Sequence, residues 1–362
     1  MITLPIDLPI RASEASQLSD VIFEQAETRR LTEDLRNRIG GRIGNLHLET
    51  IAAHPGSLCP DPIHPSAFFL AIDGVRDGIF KPWLLRIADA NTPSSALFPK
   101  AILIGRMRLA NRREIVASVV PFGPADIAHI RTFADEVDRA FLPRPQGTSP
   151  SMAINALDDP FAVFRQIHKS GGFNWAATWG TRDAAMCAAI RAGWREGYSA
   201  ESDPLPCAHR EACEFEILHE PGFTKFILQV DPAAAAGETA DAIGTLCDFI
   251  QKARSPQPTW RKFDVEILYE SPTSIPEIET LLTELKEQGR LVQSVAPVLT
   301  AETNIPELVA AIKRHSAVLK LHIGPDTPIE FLKEAGEAAS GRLQCRLGAG
   351  VDAKVVAEAL RA

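Results

Sequence analysis

The chain is poor in the residues that staple a fold or anchor it in a membrane. Among 362 residues there are 6 cysteines, 2 tyrosines, 4 methionines and 5 tryptophans. The cysteines, Cys59, Cys187, Cys207, Cys213, Cys247 and Cys345, are spread along the sequence. That argues against a disulfide scaffold and for a reducing compartment. No apolar run approaches the ~18 residues of a membrane span, so no membrane partner is expected. The opening MITLPIDLPIRASEASQ has no basic stretch leading into an apolar one, so no secretory signal is expected and the expected location is cytoplasmic. Lys and Arg total 38 against 46 Asp and Glu, a net charge of −8. Without a basic run, neutralisation of nucleic-acid phosphates has no support. Neither G-x-G-x-x-G nor G-x-x-x-x-G-K-[ST] stands between a strand and a helix, so nucleotide chemistry has no support either.

What is present is a globular composition, 45% hydrophobic and 23% charged. The length predicts two or three domains, or one barrel with an extra domain. Residues 13–39 predict a helix that starts after Ser13 and stops at Gly40-Gly41. A loop rich in Pro, His and Gly covers 54–65. Residues 65–80 read as a strand, an Asp-Gly turn and a second strand, and AILIGRM and REIVASVVPF repeat that pattern around Asn111. These segments predict an α+β domain over 1–145. The stretch PRPQGTSPSM at 143–152 is the best linker.

From about residue 160 helices alternate with short apolar strands. KFILQVD, FDVEILYE, RLVQSVAPVL, AVLKLHIG and RLQCRLGAG are each followed by a helical pattern. Five strand–helix units imply right-handed crossovers and a parallel sheet. The expected fold is therefore α/β, a TIM-like (β/α) barrel over 146–362, whole or irregular. Chemistry in such a barrel gathers at the C-terminal strand ends. That rule selects Asp231, Glu266 with Glu270, the 296–299 loop, His322, and Cys345 with its glycine turn. Glu201 and Asp203 join them if YSAESDP closes an earlier strand.

Each candidate has an ordinary alternative. Asp203 is a proton-abstracting carboxylate or part of a plain Asp-Pro turn. Glu266 and Glu270 are an acid–base or metal-ligating pair, or the exposed face of an edge strand. His322 is a site residue or a half-buried polar residue of the barrel mouth. Cys207, His209, Cys213 and His219 could bind zinc, but their spacing matches no common zinc signature. Trp175, Trp179 and Trp194 are a ligand platform or core anchors. Lys225 and Lys320 are strand lysines of the Schiff-base kind, although neither ends its strand.

Several of these residues stand in segments that resemble the tagaturonate epimerases, metal-dependent barrel enzymes acting on sugar acids. The matching segments are RDAAMCAAIRAGWREGYSAESDPLP at 182–206 with PGFTKFILQVDP after it, SPTSIPEIETLLTELKEQGRLVQSVAP at 271–297, VLKLHIG at 318–324 and CRLGAG at 345–350. The resemblance spans roughly 115–362. It implies inversion of a hydroxyl-bearing carbon of a keto acid, with a divalent metal polarising substrate oxygens and carboxylates moving the proton. Carried over, the base is Asp203. The family's neighbouring metal-binding His is Pro204 here. The acid Glu falls on Leu268, flanked on the same strand face by Glu266 and Glu270. One later metal-binding His is retained as His322, and the other is replaced by Cys345, still a metal ligand as thiolate. The sequence-level expectation is a diverged metal-dependent epimerase or isomerase of the tagaturonate or fructuronate class. Its catalytic residues would be Asp203 and Glu266, its metal ligands His322 and Cys345, and its assembly a homo-oligomer or a monomer. The alternative is a non-catalytic barrel that binds a sugar acid or a protein.

Overall fold

A computed structural model describes residues 8–352 apart from 27–30, 77–78, 96, 98–100, 155–159, 165–173, 179–180, 220–221, 257–260 and 349. Two compact units emerge. The first comprises Met1–Leu142, Asp159–Arg165 and Asp183–Glu196, the second Pro143–Asp158, Gln166–Arg182 and Gly197–Ala362.

The first unit begins with helices α1 (Ala12–Gln25) and α2 (Glu33–Gly44). The single helix expected over 13–39 is thus two. Thr32 starts the second by accepting a hydrogen bond from the Leu35 amide at 3.3 Å, an N-cap arrangement. Gly40 and Gly41 lie inside α2 instead of stopping it. An antiparallel sheet follows: β1 (Ile51–Ala53), β2 (Cys59–Pro60), β3 (Ala67–Arg76), β4 (Ile79–Asp89), β5 (Ile102–Arg108) and β6 (Glu114–Pro121), with α3 (Ile127–Glu136) after it. The main order is β1-β3-β4-β6-β5, with β2 on β3. Alternation sets its faces. Leu70, Leu85, Ile115 and Val119 belong to the core shared with α1 and α2. The expected strand pair is β3 and β4, antiparallel with Arg76 opposite Ile79, and the Asp77-Gly78 step between them lies outside the described residues. Asp73-Gly74 lies within β3, where a Cβ on Gly74 would come within 2.5 Å of the Pro9 carbonyl oxygen.

The second unit holds a closed barrel of eight parallel strands. They are β7 (Ser151–Ile154), β8 (Asn174–Ala177), β9 (Ser199–Pro206), β10 (Lys225–Gln229), β11 (Asp264–Leu268), β12 (Ser294–Ala296), β13 (Val318–Ile323) and β14 (Gln344–Leu347). Helix α4 (Arg182–Ala192) follows β8, although most of it groups with the first unit. Helices α5 (Arg210–His219), α6 (Ala236–Arg254), α7 (Ile275–Glu287), α8 (Ile305–Arg314) and α9 (Ile329–Ala339) follow β9 to β13 in turn. The helix expected after β14 lies outside the described residues. The barrel expectation is met: the eight-stranded parallel sheet is closed, and the fold is TIM-like (β/α).

Local sequence explains the helix limits. Ser274 and Glu277 form a capping box at the start of α7, and Gly289 ends that region at φ +72°. Phe226, Leu228, Val265, Ile267, Leu319, Leu321, Cys345 and Leu347 alternate outward into the apolar layer beneath the helices. The intervening residues point into the lumen.

Candidate active site

Contacts between strands that are not neighbours have to cross the lumen, and they reveal what fills it. Lys320 on β13 places its Nζ 2.5 Å from Glu201 Oε1 on β9 and 2.7 Å from Glu266 Oε2 on β11. Lys225 on β10 donates to Gln344 Oε1 on β14 at 2.5 Å and lies 3.4 Å from Glu266 Oε2. Glu201, Glu266 and Lys320 are completely buried. At the N-terminal end, Gln344 Nε2 donates to the Gly147 and Ser149 carbonyls, and Asp264 Oδ2 accepts from the Gln146 and Gly147 amides. The segment leading into β7 therefore closes the bottom of the barrel.

Burial pushes the Glu266 pKa up, but the Lys320 and Lys225 ammonium groups and the His322 hydrogen bond pull it well below the usual carboxylate range. Burial lowers the Lys320 pKa, yet Glu201 and Glu266 bring it above its ordinary value. Lys225 is pushed down by burial and by the Lys320 charge, more than its carboxylate neighbours raise it. The lumen thus holds an ionised Glu266 clamped by Lys320.

Above this layer sit Ile227, Leu268 and Ala296, a small apolar plug. One polar connection passes it. His322 Nε2 lies 3.0 Å from Glu266 Oε1, and the His322 side chain is 31% exposed. Because Glu266 is ionised, Nε2 donates, so in the neutral tautomer Nδ1 is the proton acceptor. His322 opens onto a cavity of about 740 Å³ at the C-terminal mouth. Leu268, Pro297, Val298, Leu299 and Phe331 supply much of its wall, with Glu270 and Asp326 at its polar edge. Glu270 lies beyond the end of β11 and accepts from Gln229 Nε2 at 2.7 Å. On the neighbouring strand the register partner of His322 is Arg346, whose Nη2 lies 3.7 Å from Asp203 Oδ1. Asp203 is largely exposed at the rim of β9, four strands around the barrel from β13.

Of the expected residues, Glu266 and His322 are brought together, and Asp203 reaches the same mouth through Arg346. Cys345 does not join them. Its register partner on β13 is Leu321, it packs in the outer apolar layer, and burial pushes its thiol up to about 12. His322 and Cys345 stand one residue out of phase on adjacent strands, so they occupy opposite faces of the sheet. The expected metal pair is therefore corrected. Pro204 carries no ligand, and the carboxylate next to His322 already holds an ammonium group. Among the described residues no three His, Cys, Asp or Glu are grouped to hold a metal ion. The residues present do not fit the divalent cation. Cys207 and Cys213 are buried core residues, and His219 lies on the Phe215 carbonyl and ring. Trp175 stacks on Tyr198 and Trp194 lies against Phe164, both as core contacts, while Trp179 is outside the described residues. Sequence reasoning missed Arg346, and it named Glu201 only as a member of the strand-end layer and Lys320 only as a Schiff-base candidate, not as a buried ion pair. The available signal was their placement at alternate positions of otherwise apolar strands.

No family model matches the chain, and no curated protein matches it. Solved structures do. A mandelate racemase/muconate lactonizing enzyme from Bordetella bronchiseptica RB50 is 11% identical, with 83% of this chain and 87% of that one covered at a TM-score of 0.37. An octameric Rubisco from Pyrococcus horikoshii OT3 is 10% identical over 75% of this chain and 80% of that one, TM-score 0.36. A protein from Burkholderia cenocepacia J2315 named for lyase/mutase activity is 16% identical over 65% and 85%, TM-score 0.36. Likeness at this level carries no argument about chemistry. The closed parallel sheet assigns the fold. No helix among the described residues is long and apolar enough to cross a membrane.

Proposed function

We propose that the protein moves a proton at a carbon beside the carbonyl of a small sugar acid, as an epimerase or isomerase that works without the divalent metal. The observation that carries this reading is the His322–Glu266 pair at 3.0 Å on the floor of the mouth cavity. A neutral imidazole held by a buried, ionised carboxylate is a general base with a fixed ring orientation. When His322 takes the proton, Glu266 stabilises the imidazolium, and the ammonium of Lys320 keeps Glu266 ionised throughout. Arg346, at the same level on the next strand, is placed to receive a substrate carboxylate. Asp203, largely exposed and four strands around the barrel from β13, would give a proton to the other face when protonated.

A second reading rests on one observation. Glu266 is already paired with Lys320, so it cannot serve as the proton-donating acid that the resemblance implies. On that reading the barrel binds a sugar acid without turning it over. One experiment separates the two. The purified protein is incubated in deuterium oxide with tagaturonate or fructuronate, and exchange of carbon-bound hydrogen is followed by NMR. Proton transfer predicts deuterium incorporation that falls about 10²–10⁴-fold in His322→Asn. Exchange that is absent, or equal in the variant, overturns the catalytic reading. Saturable binding without exchange establishes the second.

A further inference from the structure

The first unit has a cavity of its own, away from its apolar core. The sheet faces α1 and α2 with Leu70, Leu85 and Val119, and on its other face it carries Phe69, Arg86 and Ser118 in one cross-strand row. Around that row lies a pocket of about 290 Å³. Leu84, Val116 and Val120 extend its apolar wall, and Ser94 and Ser95 line it from the connection after β4. Arg106 and the 60% exposed Leu103 stand on β5 at its edge.

Arg86 is the unusual component. It is 8% exposed, and it sits in the middle of a hydrophobic sheet face. Its Nη2 donates to the Pro93 carbonyl at 2.9 Å and lies 3.5 Å from Asp61 Oδ2. Its Nε is buried and has no hydrogen-bond partner among the described residues. Asp61 is occupied elsewhere, accepting from the Ile63 and His64 amides and lying 3.3 Å from His64 Nδ1. Burial lowers the Arg86 pKa more than Asp61 raises it. A buried guanidinium with an open donor is costly unless an anion completes it.

We infer that this pocket is a binding site for a small monocarboxylate with a short apolar body, held by Arg86 and Ser118. Charge sets the class. Asp61 offsets one of the two positive charges contributed by Arg86 and Arg106, which leaves a balance suited to one negative charge. A dianionic phosphate would remain under-neutralised against an apolar wall. A carboxylate can take one hydrogen bond from the open Nε and another from the Ser118 hydroxyl, and the ring of Phe69 and the Val116 and Val120 side chains suit a flat or branched hydrocarbon.

The test uses the full chain and titrates it calorimetrically with benzoate, and separately with inorganic phosphate. Benzoate should saturate one site. Arg86→Gln should weaken that binding about 10- to 100-fold, the loss expected when charge-assisted hydrogen bonds go. Ser118→Leu, which fills the pocket and keeps Arg86, should weaken it as well and covers the case in which Arg86→Gln does not fold. His322→Ala should leave it unchanged, which separates this pocket from the barrel mouth. The inference is overturned by benzoate binding that both pocket variants retain, by binding lost with His322, or by an Arg86-dependent site that takes phosphate and refuses benzoate. Absence of binding up to on the order of 10 mM, above the millimolar range of weak ligands, overturns it too.

Discussion

The core face of the antiparallel sheet and the lumen of the barrel are equally buried and oppositely filled. Leu70, Leu85, Ile115 and Val119 are completely hidden in the first, and Glu201, Glu266 and Lys320 in the second. The sheet gains stability from hydrocarbon removed from water, about 25 cal/mol per Å². The lumen gains little that way. Desolvating ions costs several kcal/mol each, and their attraction recovers it only with close geometry. The barrel keeps its hydrocarbon outside the strands, between sheet and helices, and reserves the centre for charge. A protein that needed only a stable barrel would be as well served by aliphatic side chains there. The charges instead fix His322, the one residue of the cluster that reaches the mouth cavity.

The largest expected effect breaks the lumen. Lys320→Met should destabilise the protein by about 3–5 kcal/mol, because it leaves Glu201 and Glu266 buried with only the more distant Lys225 ammonium, 3.9 and 3.4 Å away. Leu70→Ala in the sheet core should cost about 2–5 kcal/mol through lost transfer energy and a residual cavity. Denaturant midpoints measure both. The two losses differ in origin, and salt and pH should move only the first. A loss below ~1 kcal/mol for Lys320→Met would mean that the carboxylates find water or take up protons, and that the ionic description of the lumen is wrong.

Acid separates the regions more sharply. Glu266 has a folded pKa well below its unfolded value of about 4.3. Its contribution is complete above the unfolded value and is lost as pH falls towards the folded one. Asp264, raised above its ordinary value mainly by burial, works in the opposite sense. It stabilises the protein when protonated, and that contribution fades as pH rises through its folded pKa. Glu266→Gln should therefore flatten the acid loss of stability, and Asp264→Asn should steepen the net rise with pH. Each pKa unit is worth about 1.4 kcal/mol. Urea midpoints between pH 3 and pH 7 give both slopes, and parallel curves for the wild type and both variants would contradict the assignment.

The barrel was legible because its outward residues repeat. Phe226, Leu228, Ile267, Leu319 and Leu321 mark strands, and capped helices follow them at regular intervals. Strands β7 and β8 were not, since SMAI and NWAA are four residues long without a strong apolar alternation. The division of 13–39 into two helices was missed because Thr32 looks like any polar helix residue until its side chain caps Leu35. At the site, Glu266 and His322 could be named from strand position alone. Their pairing could not, because it depends on which face each presents. Cys345 failed for the same reason. One residue of register sends it outward among leucines while His322 turns inward. Lys320 and Glu201 were invisible as a pair because they are 119 residues apart.

The smallest expected effect repeats the lumen's chemistry at the surface. Arg290 Nη1 and Nη2 donate to Asp248 Oδ1 and Oδ2, both at 2.7 Å, a better fork than any contact in the lumen. The Asp248 side chain is 64% exposed. Water already solvates both groups in the unfolded chain and largely in the folded one, so little desolvation is at stake and the attraction is screened. Asp248→Asn should cost no more than about 1 kcal/mol, and that difference should vanish in 1 M salt, where the screening length is about 3 Å. The loss in Lys320→Met should persist there, because the ions of the lumen are out of reach of the solvent. If the two variants responded alike to salt, water would have to reach Glu266, and the fixed, ionised carboxylate that holds His322 would lose its physical basis.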